Sequence, residues 1–109
     1  MGAPLNVFKT YTANLTTTAE TIYTAPVGKT TVILLAQVSN ISEGTVQASS
    51  NHVRDSNNTA LVYNTSIPVY DSVNLLSGKL VLETGDSITA SASEDGSAQI
   101  LLSILETLN

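Results

Sequence analysis

Three short stretches hold residue types that do chemistry in other proteins. Residues 26–31 read PVGKTT, and Gly28-Lys29-Thr30 spells the end of a phosphate-binding loop. The full motif, G-x-x-x-x-G-K-[ST], needs a glycine five residues before Gly28, where this chain has Tyr23. It also needs a helix directly after the loop, so that N-terminal amides face the phosphate. The chain instead continues as Thr30-Thr31-Val32-Ile33-Leu34-Leu35, a β-branched, apolar run that reads as a strand. PVGKTT is therefore expected to be a turn that opens a strand, with no nucleotide bound.

The second stretch is NHVRD, residues 51–55, which holds the chain's single histidine. It faintly echoes the catalytic loop of kinases, but no other kinase element accompanies it. His52 is expected to be structural or at the surface. With no cysteine and no second histidine, a zinc site would need three carboxylates around it. The third stretch, Asp55-x-Asn57-x-Thr59, begins like a calcium loop but lacks the glycine at position 6 and the glutamate at position 12. Glu43, Asp71, Asp86 and Asp95 all fall in expected loops, where carboxylates keep a surface solvated. No nucleophile and base pair emerges. The expectation is a protein without catalytic residues, metal or cofactor.

Composition narrows the partners. Cations are limited to Lys9, Lys29, Arg54 and Lys79 against a net charge of −5, so no basic surface for nucleic acid is expected. No run of 18 apolar residues is present, so no membrane-spanning helix is expected. The N-terminus has no basic region leading into an apolar stretch, so no secretion signal is expected. The four Asn-x-Ser/Thr sequons are then a consequence of a composition rich in those residues. Charged residues are 12% of the chain, about half the usual share, and Ser, Thr and Asn fill the outward positions.

The elements that must carry these residues are strands. Val46, Ala48 and Ser50 alternate on one face of a segment ending at Arg54. Ile88, Ala90 and Ala92 alternate with Thr89, Ser91 and Ser93, and Ile100, Leu102 and Ile104 share one face of the last segment. Turn residues separate them at 40–44, 55–58, 84–86 and 94–97, and Ser77-Gly78 reads as a two-residue hairpin between Val73–Leu76 and Lys79–Glu83. The fold expected is all-β: one antiparallel β-sandwich, jelly-roll-like, of about seven or eight short strands. Residues 1–14 form an extended N-terminal arm or edge strand, and 15–109 the sandwich domain.

Two of these strands are apolar on both faces. From Thr30 to Ser39, unbroken alternation puts Val32, Leu34, Ala36 and Val38 on one side and Ile33 and Leu35 on the other. In the last strand Leu101 and Leu105 oppose Ile100, Leu102 and Ile104. An antiparallel sheet usually leaves one face polar, so a loop, the arm or a neighbouring subunit should cover the second face.

Two segments also carry a resemblance. YTAPVGKT at 23–30 and LLSGKLVLETGDSI at 75–88 resemble recurring motifs of small virion structural proteins of tailed bacteriophages, notably those of marine and cyanobacterial hosts. The similarity runs over roughly residues 20 to 106, and the second motif is the more specific. It implies a small β-sandwich that serves as an assembly part of the particle. A decoration or cement protein on the outer capsid surface is favoured over a neck, tail, baseplate or fibre part. The partners implied are other copies of the chain and a major capsid protein, or tail and neck proteins. The interface candidates are Leu5, Val7 and Phe8 in the arm, Ile33 and Leu35, and Leu101, Leu105 and Leu108. If the chain is instead a fibre module that binds host glycans, Tyr63 and Tyr70 are the candidate platform.

Overall fold

The computed structural model describes residues 6–108. Alternation of apolar and small polar side chains produces nine strands and, among the described residues, no helix: β1 (Asn6–Asn14), β2 (Glu20–Thr24), β3 (Lys29–Asn40), β4 (Val46–Arg54), β5 (Asn57–Ile67), β6 (Ser72–Asn74), β7 (Leu80–Leu82), β8 (Ser87–Ala92) and β9 (Ala98–Leu108). Every pairing is antiparallel, and the pairs are nested. β4 and β5 form a hairpin around Asp55-Ser56, β3 takes β6 and β7, β2 takes β8, and β1 takes β9. Two further ladders, β3 with β9 and β4 with β8, join these pairs into two sheets. One runs β1-β9-β3-β6, with β7 also on β3; the other runs β2-β8-β4-β5. A long hairpin folded over itself in this way is a jelly roll. The chain is a jelly-roll-like β-sandwich.

Each sheet contributes both large and small side chains to the core. Ile33, Ala36, Ile100 and Leu102 project from the five-stranded sheet, and Val46, Ala48, Ile88 and Ala90 from the other. Large residues against small ones let the layers interdigitate at the density of a protein interior. Leu15, Ile67, Leu75 and Leu82 close the remaining space.

Unbroken alternation fails in β3. The register against β9 shifts between Ile33 and Leu35, so Leu34 is an extra residue. Such a bulge changes the phase of every side chain beyond it. Thr31 and Ile33 therefore point inward before it, and Ala36, Val38 and Asn40 point inward after it. The expected grouping of Ile33 with Leu35 is corrected: Ile33 is core, and Leu35 lies on the opposite side of the sheet.

The hairpin expected at Ser77-Gly78 is also corrected. β6 pairs with Gln37–Ser39 and β7 with Thr31–Ile33, so the two segments lie end to end along β3 and do not face each other. Between them the Leu75 N–H donates to the Ala36 carbonyl at 2.7 Å. The segment thus behaves as one interrupted strand.

PVGKTT forms the turn between β2 and β3. The Lys29 N–H reaches back to the Pro26 carbonyl at 3.2 Å, and Gly28 has φ 77°, a conformation a side chain would resist. Residues 6–14 of the expected arm form the edge strand β1, in register with β9 along its whole length.

Candidate functional site: the outer face of the five-stranded sheet

Three strand positions of the five-stranded sheet are charged, and all three point inward. Lys9, Lys29 and Glu106 meet at the end of the sandwich where β3 begins. Glu106 Oε1 lies 2.9 Å from Lys9 Nζ and 3.5 Å from Lys29 Nζ. The shorter separation is of hydrogen-bond length but its angles are poor, so the contact is an ion pair. Glu106 Oε2 accepts from the Tyr23 hydroxyl, which also lies 2.7 Å from Thr31 Oγ1. Burial pushes the Glu106 carboxyl up, but the Tyr23 hydroxyl, Lys9 and Lys29 together bring it below its ordinary range. Burial and the neighbouring carboxylate hold the Tyr23 hydroxyl protonated well above its usual range.

A second cluster sits at the same end on the other sheet. Asp86 accepts from Arg54 Nε at 2.9 Å, Arg54 Nη2 at 2.7 Å and the Glu83 N–H at 2.9 Å, with His52 Nε2 at 3.1 Å. The guanidinium holds the Asp86 carboxyl far below its ordinary range; burial opposes this, and the Glu83 amide and His52 reinforce it. Asp86 is buried, so its expected place among the solvating loop carboxylates is corrected. TGD does turn the chain, but the carboxylate turns inward to satisfy Arg54. Both clusters have each member spoken for by another. Among the described residues no group of three or more His, Asp or Glu side chains is placed to hold a metal ion.

With its charges turned inward, the five-stranded sheet has an outer face of uncharged strand residues only. Across it, register aligns Phe8 with Leu105, Leu105 with Val32, and Val32 with Val81. This makes one apolar row that crosses four strands, about 14 Å at ordinary strand spacing. Phe8 is 72% exposed and Val81 52%. Leu35 lies beside the row on the same face, and the exposed Leu101 lies further along it, opposite Gln37. Further along, the face hollows into a trough of ≈ 510 Å³ lined by Thr12, Asn14, Gln37, Ser39, Gln99 and Leu101. The other sheet differs: its outward positions include Gln47, Ser49 and Asn51 on β4 and Ser87, Thr89 and Ser91 on β8.

The expected interface residues divide accordingly. Phe8, Leu35 and Leu105 come together on the outer face, and Leu101 lies further along the same face at the trough. Ile33 is fully buried between the sheets and cannot meet a partner. Val7 is half-buried on the inward side opposite Glu106, and Leu108, at the end of β9, shares the inward phase of Ile104 and Glu106. Leu5 lies outside the described residues. Val32 and Val81 complete the row and were not singled out from the sequence. Strict alternation with the inward Leu80 and Leu82 is the signal that marks Val81.

Tyr63 and Tyr70 are 78% and 73% exposed. Tyr63 stands where β5 has extra residues opposite β4, and Tyr70 has φ 60° in the loop after Pro68. They do not stack; the one ring pair among the described residues is Tyr11 with Tyr23, 5.2 Å apart.

No family model and no curated protein sequence matches this chain. Solved structures do share its fold. A chain of the Bacillus endospore appendages, described as disulfide-linked pili, is similar with TM-score 0.57 at 15% identity, covering 99% of this chain and 93% of that one. A chain of the T13 IBDV viral particle is similar with TM-score 0.58 at 12% identity, covering 97% of this chain but 32% of that one. This chain therefore corresponds to about a third of the IBDV chain. At these identities the likeness is one of fold. This chain has no cysteine, so it shares no disulfide with the pilus protein.

Proposed function

We propose that this chain is a non-enzymatic structural protein of a phage particle, seated on the outer capsid surface as a decoration or cement protein. The observation that carries the reading is the charge-free outer face with its apolar row Phe8–Leu105–Val32–Val81. In a molecule of net charge −5, such a face is suited to lie against another protein. Exposed contiguous apolar surface of this kind marks association sites. Burying it contributes roughly 25 cal/mol per Å² before the costs of association are subtracted. The motif resemblance supports a place in a particle, and jelly rolls recur in capsid domains. A fold alone does not assign a role, so the face and the motifs bear the weight of the reading.

The test is to strip the chain from purified virions, add it back, and follow the temperature at which capsids rupture. Native chain is expected to raise that temperature. Val81→Lys, exposed and so harmless to folding, is expected to abolish the gain. Unchanged capsids together with lost adsorption to host cells would move the protein to the neck, tail or fibre. That second reading draws on Tyr63 and Tyr70, whose rings stand in solvent. Specific glycan binding lost in Tyr63→Ala or Tyr70→Ala would establish it.

A further inference from the structure

A sandwich of two open sheets has four edges, and each exposes a row of unpaired backbone donors and acceptors. Three of the four are blunted here. β2 has five residues and an irregular register. β5 has two register shifts against β4. β6 and β7 are three residues each and are interrupted by the segment at 75–79. Bulges, shortness and interruption are the devices by which proteins keep edges from pairing.

β1 has none of them. It is nine residues long, holds no proline or glycine, and pairs with β9 without a register shift from Asn6 to Asn14. Among the described residues no strand lies on its other side. Its one charge is Lys9. An inward lysine on an edge strand ordinarily blocks pairing, because pairing would bury a lone charge. Here Glu106 already neutralises it at 2.9 Å, so that block is lifted.

We propose that two copies of this chain pair edge to edge through β1, antiparallel, about a two-fold axis normal to the sheet. The occupant is a second copy because β1 is the one regular edge among the described residues, and because of charge. Residues 6–14 hold no carboxylate in a molecule of −5, so this is where two copies meet without facing acidic surfaces. Full overlap of the nine residues puts Thr10 on the axis. Phe8 of one copy then lies beside Thr12 of the other, and Lys9 beside Tyr11. A register centred on Lys9 would place two lysines directly opposite, which is unfavourable. The pairing joins two sheets that are each four strands wide and leaves both outer faces on the same side.

This deepens the proposed function and rests on its premise that copies assemble. A nine-residue strand edge buries less than the roughly 1,200 Å² of a standard interface, so pairing in free solution is weak. A covalent trap suits it. The chain lacks cysteine, and residues directly opposite in an antiparallel pair have Cα atoms about 4.5–5.5 Å apart, within disulfide reach.

The experiment oxidises full-length Thr10→Cys and, as a control on the blunted edge, Thr59→Cys, each confirmed folded by circular dichroism. Covalent dimer is expected at least tenfold faster from Thr10→Cys. Adding Phe8→Glu and Thr12→Glu to Thr10→Cys puts carboxylates of the two copies against each other and should slow it at least tenfold. Equal rates at positions 10 and 59, or a rate at 10 indifferent to the added acids, would overturn the pairing. Capsid protection read on Thr10→Cys alone, which leaves the row Phe8–Leu105–Val32–Val81 intact, separates the two ideas. A chain that protects capsids without trapping leaves the docking role standing and removes the β1 pair; trapping without protection does the reverse.

Discussion

Glu106 and Asp86 are the two carboxylates that this sandwich takes out of water, and each is held by a different set of partners. Glu106 depends on Tyr23 as its one well-aligned donor among the described residues. Tyr23→Phe leaves a buried carboxylate short of that bond, and is expected to cost about 1–3 kcal/mol in urea unfolding. Asp86 gives a pH dependence whose sign follows from its depressed folded value. The stabilisation is fully present above the ordinary value of 3.8 and is lost as pH falls through the folded value. Glu106, also depressed, acts in the same direction. The urea midpoint is therefore expected to fall below about pH 4. Asp86→Asn should lower stability by about 2 kcal/mol at pH 7 and flatten that acid limb; an unaltered limb would show that Asp86 contributes little there. Neither buried acid was legible from its neighbours in sequence. TGD spells a turn whichever way the carboxylate points, and Arg54, which decides the direction, is 32 residues away.

Among the elements, the strands with local alternation were the readable ones. Val46, Ala48 and Ser50 on β4, and Ile88, Ala90 and Ala92 on β8, are buried as their period-two pattern dictates. β3 was harder because Val32 to Ala36 are all apolar, so nothing in that run marks Leu34 as the extra residue. The bulge makes a direct comparison possible. Ile33→Ala opens a cavity in the core and is expected to cost about 3–4 kcal/mol, whereas Leu35→Ala on the outer face should cost near 1. Matched thermal or urea unfolding of the two variants checks this, and equal losses would contradict the phase change. The Ser77-Gly78 misreading has a related cause. Turn chemistry reports that a chain bends there, but β6 and β7 were claimed by β3 through contacts some forty residues away in sequence.

For the molecule as a whole, the all-β class and the sandwich were legible from alternation and turn spacing. The charge layout was only partly so. Four cations and nine acids are easily counted, but alternation had to be joined to register before the uncharged outer face emerged. That layout predicts how copies respond to salt. Two chains of −5 repel over about 10 Å at 0.1 M salt and over about 3 Å at 1 M. Self-association through an uncharged contact should therefore strengthen as sodium chloride rises, measured by sedimentation equilibrium. Weakening with salt would point instead to ion pairs across the contact.

The nested pairing also sets an order of events during synthesis. β4 and β5 can close as soon as the ribosome releases them, since two residues separate them. Of the nine strands, β1 is made first and its partner β9 last. A polymerising ribosome adds roughly 5–20 residues per second, so β1 waits for seconds with both edges open. The strand inferred to join two finished copies is thus also the one most exposed to a neighbouring nascent chain. Polysomes crowded on one message would bring such strands together before either copy is complete.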